Sequence, residues 1–170
     1  MKLVVLGLSL GSSWGNGHAT TYRALLAAFA ARGHAVTFLE RVVPWYAGPH
    51  RDLPDPSFCR LAFYDGLADL ERWRGEIAAA DAVIVGSYVP EGVAVGAWVQ
   101  RTVRSAGQGI VAFYDIDTPV TLAKLAAGDT EYLSPALIRG YDLYLSFSGG
   151  PTLTRLEREH GAPAAGSTEQ

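Results

Sequence analysis

Six short apolar runs, separated by longer stretches of helical spacing, limit what this chain can fold into more than any other feature. The runs are Leu3–Leu8, Ala35–Glu40, Cys59–Phe63, Ala82–Gly86, Ile110–Tyr114 and Leu143–Phe147. Several are apolar at consecutive rather than alternate positions, as strands covered on both faces are. Between the first two runs, Tyr22, Leu25, Leu26 and Phe29 recur at helical spacing, and Gly33 offers a C-terminal stop. Asp65 is placed to cap a second helix that buries Leu67, Leu70 and Ile77. Thr118-Pro119 and Gly150-Pro151 put proline where the first turn of a helix accepts it. This alternation predicts an α/β, Rossmann-like three-layer domain, with a mostly parallel sheet of about six strands and right-handed crossovers. A length of 170 residues suits one such domain.

Two segments depart from the pattern. Val42–Ser57 is irregular and holds Pro44, Pro49, Pro54 and Pro56 beside Trp45 and Tyr46; uninterrupted loops of this length are usually functional or disordered. The domain is expected to span 1–161, and 162–170, small and polar, to form a flexible tail.

Composition excludes several classes of function. The net charge is −3 and the Lys and Arg residues are dispersed, which offers no surface for a phosphate backbone, so no nucleic-acid partner is expected. Cys59 stands alone, so no intrachain disulfide is possible and a reducing, cytoplasmic setting is expected. Lys2 followed by Leu3–Leu6 imitates the start of a signal peptide, but Gly7 breaks the run. No stretch approaches the ~20 apolar residues of a membrane span.

Parallel α/β sheets collect ligands at the carboxyl ends of their strands. The first strand-to-helix segment there contains Gly11, Gly15, Asn16, Gly17 and His18. Its glycines permit close backbone approach, and the start of the following helix favours an anion. His18, in the first helical turn, is expected to stay neutral and able to accept a proton; the bland alternative is a histidine that decorates an exposed helix start. Gly15-x-Gly17-x-x-Thr20, with Glu40 ending the second strand, imitates a dinucleotide fingerprint only loosely, because Ser9–Trp14 intervene.

At the same edge, Asp115 and Asp117 end the fifth strand. They could position a hydroxyl, or serve a haloacid-dehalogenase-type phosphatase with Mg²⁺, while Thr118 could touch substrate or cap a helix. No metal is expected at the favoured site. Tyr88 and Glu91 follow the fourth strand. Ser148, Gly149 and Gly150 follow the sixth, as an anion cradle or simply as a tight turn. Trp45 and Tyr46 offer rings to stack on a sugar, or pins for their loop. Trp73 and Trp98 fall at helical positions and read as packing residues.

Trp14-Gly15-Asn16-Gly17-His18-Ala19-Thr20-Thr21-Tyr22-Arg23, Pro44-Trp45-Tyr46, Tyr114-Asp115-Ile116-Asp117-Thr118-Pro119 and Ser148-Gly149-Gly150-Pro151-Thr152 together resemble bacterial glycosyltransferases of the CgeB-like group. The resemblance covers about residues 1–160. It implies the GT-B architecture, in which an N-terminal Rossmann-like domain handles the acceptor and a C-terminal one binds most of the nucleotide-sugar donor. The Gly-Asn-Gly-His turn is also similar to the glycine-rich loop and histidine of the peptidoglycan GlcNAc transferase.

The resemblance thus implies an acceptor-binding half, inactive without a donor domain, whose acceptor is a sugar or another hydroxyl-bearing molecule. It implies no resident cofactor, with the nucleotide sugar a co-substrate held mainly by the second domain. The length implies a truncated or isolated half, and an uncovered apolar face suited to a homo-oligomer or to the missing domain. A non-catalytic carbohydrate-binding module is the remaining alternative.

Overall fold

In the computed structural model, which describes residues 1–168, the chain forms a seven-stranded parallel sheet. The strands are β1 (Lys2–Gly7), β2 (Ala35–Arg41), β3 (Arg60–Tyr64), β4 (Ala82–Gly86), β5 (Ile110–Asp115), β6 (Leu143–Ser146) and β7 (Ala165–Ser167), in the order β3-β2-β1-β4-β5-β6-β7. The helices are α1 (His18–Ala31), α2 (Arg74–Ala78), α3 (Gly92–Ala106), α4 (Thr118–Ala126), α5 (Pro135–Gly140) and α6 (Pro151–Arg158). The predicted three-layer Rossmann-like class holds.

Alternation along the strands divides the core between the two faces. Val4, Leu6, Leu39, Val83, Val85, Val111 and Phe113 pack under α2 to α6. Leu3, Val5, Val36, Phe38, Ile84, Ala112 and Tyr114 face the other way, where Tyr22 and Leu26 of α1 meet them. Burial of side chains on this scale contributes ~25 cal/mol per Å² of apolar surface removed from water. Five helices therefore serve one face and a single helix the other.

α1 stops where expected: Gly33 N donates to Ala30 O at 2.9 Å and His34 N to Phe29 O at 3.1 Å, the paired bonds of a Schellman cap. Proline opens α4 and α6 as predicted. The expected second helix is different. A 3₁₀ helix over Leu67–Trp73 runs into the short α2, with Gly66 rather than Asp65 at its start. Leu70 and Ile77 are buried as anticipated, and Leu67 is half-buried. Trp98 is buried, with its indole N–H on Glu71 at 2.8 Å, and Trp73 packs against the same core.

The 162–170 segment, expected as a flexible tail, is corrected over its described part. β7 pairs with β6 there, with Tyr144 N on Ala164 O at 2.8 Å and Thr168 N on Ser146 O at 2.9 Å. Residues 169 and 170 lie outside the described residues.

Tyr22 crosses the carboxyl ends of β1 and β4, where a methyl group at Gly86 would lie 1.8 Å from its hydroxyl oxygen. Glycine is required for that approach. The Tyr22 hydroxyl is buried without a protein partner, and burial drives its ionisation far above the usual phenol range. Tyr22→Phe removes only the desolvated oxygen, so it is expected to stabilise the fold by about 1 kcal/mol. In a thermal melt that is a rise of roughly 2–4 °C; a fall would mean the hydroxyl has a partner.

Candidate functional site

The parallel strands bring the β1–α1 segment, the turn after β4, the segment after β5 and the turn after β6 to one edge of the sheet. The first half of the β1–α1 segment is closed. Glu40, fully buried at the end of β2, accepts Leu10 N at 2.7 Å and Gly11 N at 2.9 Å through Oε2. Ser9 Oγ accepts Ser12 N at 3.3 Å, and Asp52 accepts Ser13 N at 2.9 Å. The expectation that the amides of this corner lie free for an anion is thus corrected over residues 10–13. Glu40, the residue a dinucleotide site would turn toward a ribose, commits Oε2 to the backbone of its own protein, while its Oε1 is buried without a protein partner.

Arg23 and Asp52 seal this arrangement. Arg23 makes two contacts of 2.9 Å with the carboxylate of Asp52 and donates to Leu10 O at 3.0 and 2.9 Å. Leu53 N donates to Gly11 O at 3.0 Å, so the proline-rich loop lies across the closed corner. Nothing in the sequence marks this pair: Arg23 closes the Trp14–Arg23 motif, but Asp52 is far from it in the chain and belongs to no motif.

The second half of the segment is open. Gly15 and Gly17 are exposed, while Asn16 is occupied with backbone: its Oδ1 accepts Ala19 N at 3.2 Å and its Nδ2 donates to Trp14 O at 3.1 Å. Asn16 thereby caps α1, and its side chain is not left free for the substrate contact expected of it.

His18 is the first residue of α1 and is half-buried. Its ring stands edge-on to Tyr88, with centroids 5.1 Å apart and planes at 90°, and Asp117 is the charge that acts on it. Nδ1 is buried without a protein partner. Burial holds the imidazole down to about 4, against an upward pull from the Asp117 carboxylate. The ring is neutral at pH 7 as expected, but desolvation is the main cause.

A stability test follows from the sign of this shift. The unfolded chain binds a proton at His18 between about 6.5 and about 4 that the folded chain does not, so the term costs folding stability as pH falls through that window. Discounted for partial exposure, the loss is about 1–2 kcal/mol. Urea denaturation of wild type and His18→Gln should show a difference that grows between pH 6.5 and 4; a constant difference contradicts the shift.

The two carboxylates after β5 have separated roles. Asp117 is half-buried at the start of α4, and its carboxylate makes no capping bond. Asp115, expected to touch substrate, is fully buried. It accepts Tyr144 Oη at 2.6 Å, Thr121 Oγ1 at 2.8 Å and Asp117 N at 3.2 Å. Burial raises its carboxyl above the usual range, against those donors. Thr118, also expected at the substrate, is buried with its hydroxyl 2.8 Å from Ser146 Oγ and caps nothing.

Tyr88 and Glu91 both take left-handed backbone, at φ 63° and 55°. Glu91 is exposed and pairs with Arg41. After β6, Ser146 Oγ accepts Ser148 N at 3.0 Å and donates to Ser148 O at 2.7 Å, so the amide of Ser148 is engaged within its own turn. Trp45 and Tyr46 divide their expected roles: Tyr46 is buried and pins the loop, whereas Trp45 is 54% exposed.

Trp14, Val42, Trp45, Val120 and Phe147 are exposed along this same edge, against only Met1 and Ile110 at the opposite one among the described residues. Beside α1, an open cavity of about 550 Å³ is lined by Thr20, Thr21, Leu25, Tyr114, Phe147 and Thr168. Among the described residues no cluster of three or more His, Cys, Asp or Glu side chains is arranged to hold a metal, and no helix is long and apolar enough to cross a membrane.

No family model matches the chain, and no curated protein matches it by sequence. Among solved structures, the chain is similar to the apo form of the lipopolysaccharide outer core galactosyltransferase WaaB, with a TM-score of 0.58 and 12% identity. All of this chain is covered and 46% of that one, so it spans less than half the galactosyltransferase's length. It is also similar to a short-chain dehydrogenase/reductase from Veillonella parvula in complex with NADP, with a TM-score of 0.50, 14% identity, 85% of this chain covered and 68% of that one. Both likenesses show the fold, a Rossmann-like parallel α/β domain.

Proposed function

We propose that this domain is the acceptor-binding half of a nucleotide-sugar-dependent glycosyltransferase with a CgeB-like sequence pattern, whose donor is bound mainly by a second domain. The observation that carries the proposal is the placement of His18: a neutral imidazole with an unpartnered buried nitrogen, beside Asp117 and Tyr88, on the edge where this fold gathers ligands. An acceptor hydroxyl would lie over Gly15–His18. As its oxygen attacks the anomeric carbon and the bond to the nucleotide diphosphate breaks, the hydroxyl proton passes to His18. Asp117 stabilises the imidazolium that forms, as a carboxylate does for a histidine base elsewhere. The likeness to a galactosyltransferase fold supports this reading, and the enclosure of Asp115 weighs against a phosphatase nucleophile at that position.

Acceptor saccharides titrated into the labelled chain should shift the amide signals of Gly15–His18, Tyr88 and Asp117, and transfer should appear when a donor-binding domain is supplied. Magnesium-dependent phosphatase turnover abolished by Asp115→Asn would overturn the proposal. Saccharide binding without transfer, even with the donor domain present, would leave only a carbohydrate-binding module.

A further inference from the structure

The ring that walls His18 belongs to a residue whose backbone sits in a region unfavourable to side chains. Tyr88, at φ 63°, needs something outside its own turn to hold it there. The neighbour in contact with it is Tyr132, in the segment between α4 and α5; the two ring centroids are 4.7 Å apart.

Tyr132 is itself fixed from several sides. It is 2% exposed. Its backbone presses on the first turn of α3, where a methyl group at Gly92 would lie 2.6 Å from its Cβ and 2.7 Å from its Cα. Its hydroxyl is 2.8 Å from Thr121 Oγ1, and Thr121 donates to Asp115 Oδ1 at 2.8 Å. Since the threonine proton goes to the carboxylate, the phenol donates to the threonine oxygen. The Lys124 ammonium lies 5.8 Å from the ring centroid.

A continuous path therefore runs from the buried carboxylate to the cleft: Asp115, Thr121, Tyr132, Tyr88, His18. From these contacts we infer that Tyr132 is a positioning residue for the His18 site. Acting through Tyr88, it holds the aromatic wall against the imidazole and shields that face of the ring from water. The inference rests on the His18 reading above. It assigns a role to a residue outside every motif in the sequence, and it gives a role to a fully buried carboxylate that lies behind the site.

The groups that face His18 are the Tyr88 ring, from the turn after β4, and the Asp117 carboxylate, from the segment after β5. Removing the wall admits water and leaves Asp117 in place, so both effects push the imidazole in the same direction.

The test is an NMR pH titration of His18 in the full 170-residue chain, labelled at histidine, with the His18 signal assigned by its loss in His18→Gln. The wild-type midpoint is expected at about 4. Tyr132→Leu, which removes ring and hydroxyl, should raise it by ~1 pH unit or more, and Tyr132→Phe, which keeps the stack but cuts the tether, by less. In a Tyr88→Ala background, Tyr132→Phe should add nothing. Val103→Ala, in the last turn of α3 at the opposite edge of the sheet, should destabilise the fold without moving the midpoint.

An unmoved midpoint in Tyr132→Leu, an additive effect in the Tyr88→Ala background, or an equal shift in Val103→Ala would each overturn the inference. If Tyr132→Leu does not fold, Tyr132→Phe and the Tyr88→Ala comparison decide. Failure of sugar transfer by the wild type with a donor-binding domain supplied would sink the glycosyltransferase reading while leaving this titration intact.

Discussion

Asp115→Ala is expected to cost about 3–5 kcal/mol of folding stability, because it strands three buried neutral donors at about 1–3 kcal/mol each, less what relaxation recovers. For a domain whose whole stability is about 5–15 kcal/mol, that loss is a large fraction of the total. Three donors converge on this carboxylate, from Tyr144, Thr121 and the amide of Asp117. Alanine strands all of them in an enclosed space. Asp115→Asn keeps the shape and one acceptor oxygen but confronts the Tyr144 hydroxyl with a second donor, so its cost should be about 1–2 kcal/mol.

Urea denaturation midpoints for the two variants check both figures. The sign of the pH response is a second check. The Asp115 carboxyl is raised in the fold, so its contribution is greatest at low pH and is lost as pH rises through the folded value. Asp115→Asn should remove that part of the pH dependence. Equal stability of wild type and Asp115→Ala would mean that water, rather than protein, surrounds the group.

His18→Ala in a completed, active enzyme is expected to lower transfer by about 10²–10⁴-fold, the usual worth of a positioned base. The loss should fall on kcat, with the acceptor KM little changed, because the imidazole acts on a proton that moves only in the transition state. With the ring held at about 4, wild-type kcat/KM should be flat from neutral pH down to about 5 and fall below about 4. Asp117→Asn should lose about tenfold or more, since it removes the charge that supports the imidazolium. A transfer rate unchanged in His18→Ala removes the residue from the mechanism.

Most of the fold was legible because buried strands need apolar side chains. Ala82–Gly86 forms a strand with the predicted bounds, and the run starting at Leu3 is displaced by one residue. β7 was not legible, because Ala165-Gly166-Ser167 has no apolar pattern and is held by backbone bonds to β6. His18 and Asp117 come together because the end-of-strand rule depends on topology alone.

The inward turn of Asp115 had a signal that went unread. Val111 and Phe113 face the five-helix side, and Asp115 shares their parity on β5. Tyr132 and Tyr144 had none: a tyrosine's sequence position does not reveal which carboxylate its hydroxyl will find. The same holds for Arg23 and Asp52, whose meeting depends on how the proline-rich loop folds back.

The strand order has a consequence for how the chain is made. β1 precedes both of its neighbours in the chain, yet it lies inside the sheet, with β2 on one side and β4 on the other. At roughly 5–20 residues per second, its second neighbour arrives on the order of 4–16 seconds later. Through that interval Leu3–Leu6 lies beside an unfilled slot, with one line of amides and carbonyls unpaired. A nascent chain stalled before Ala82 should therefore draw chaperones that one stalled well beyond Gly86 does not.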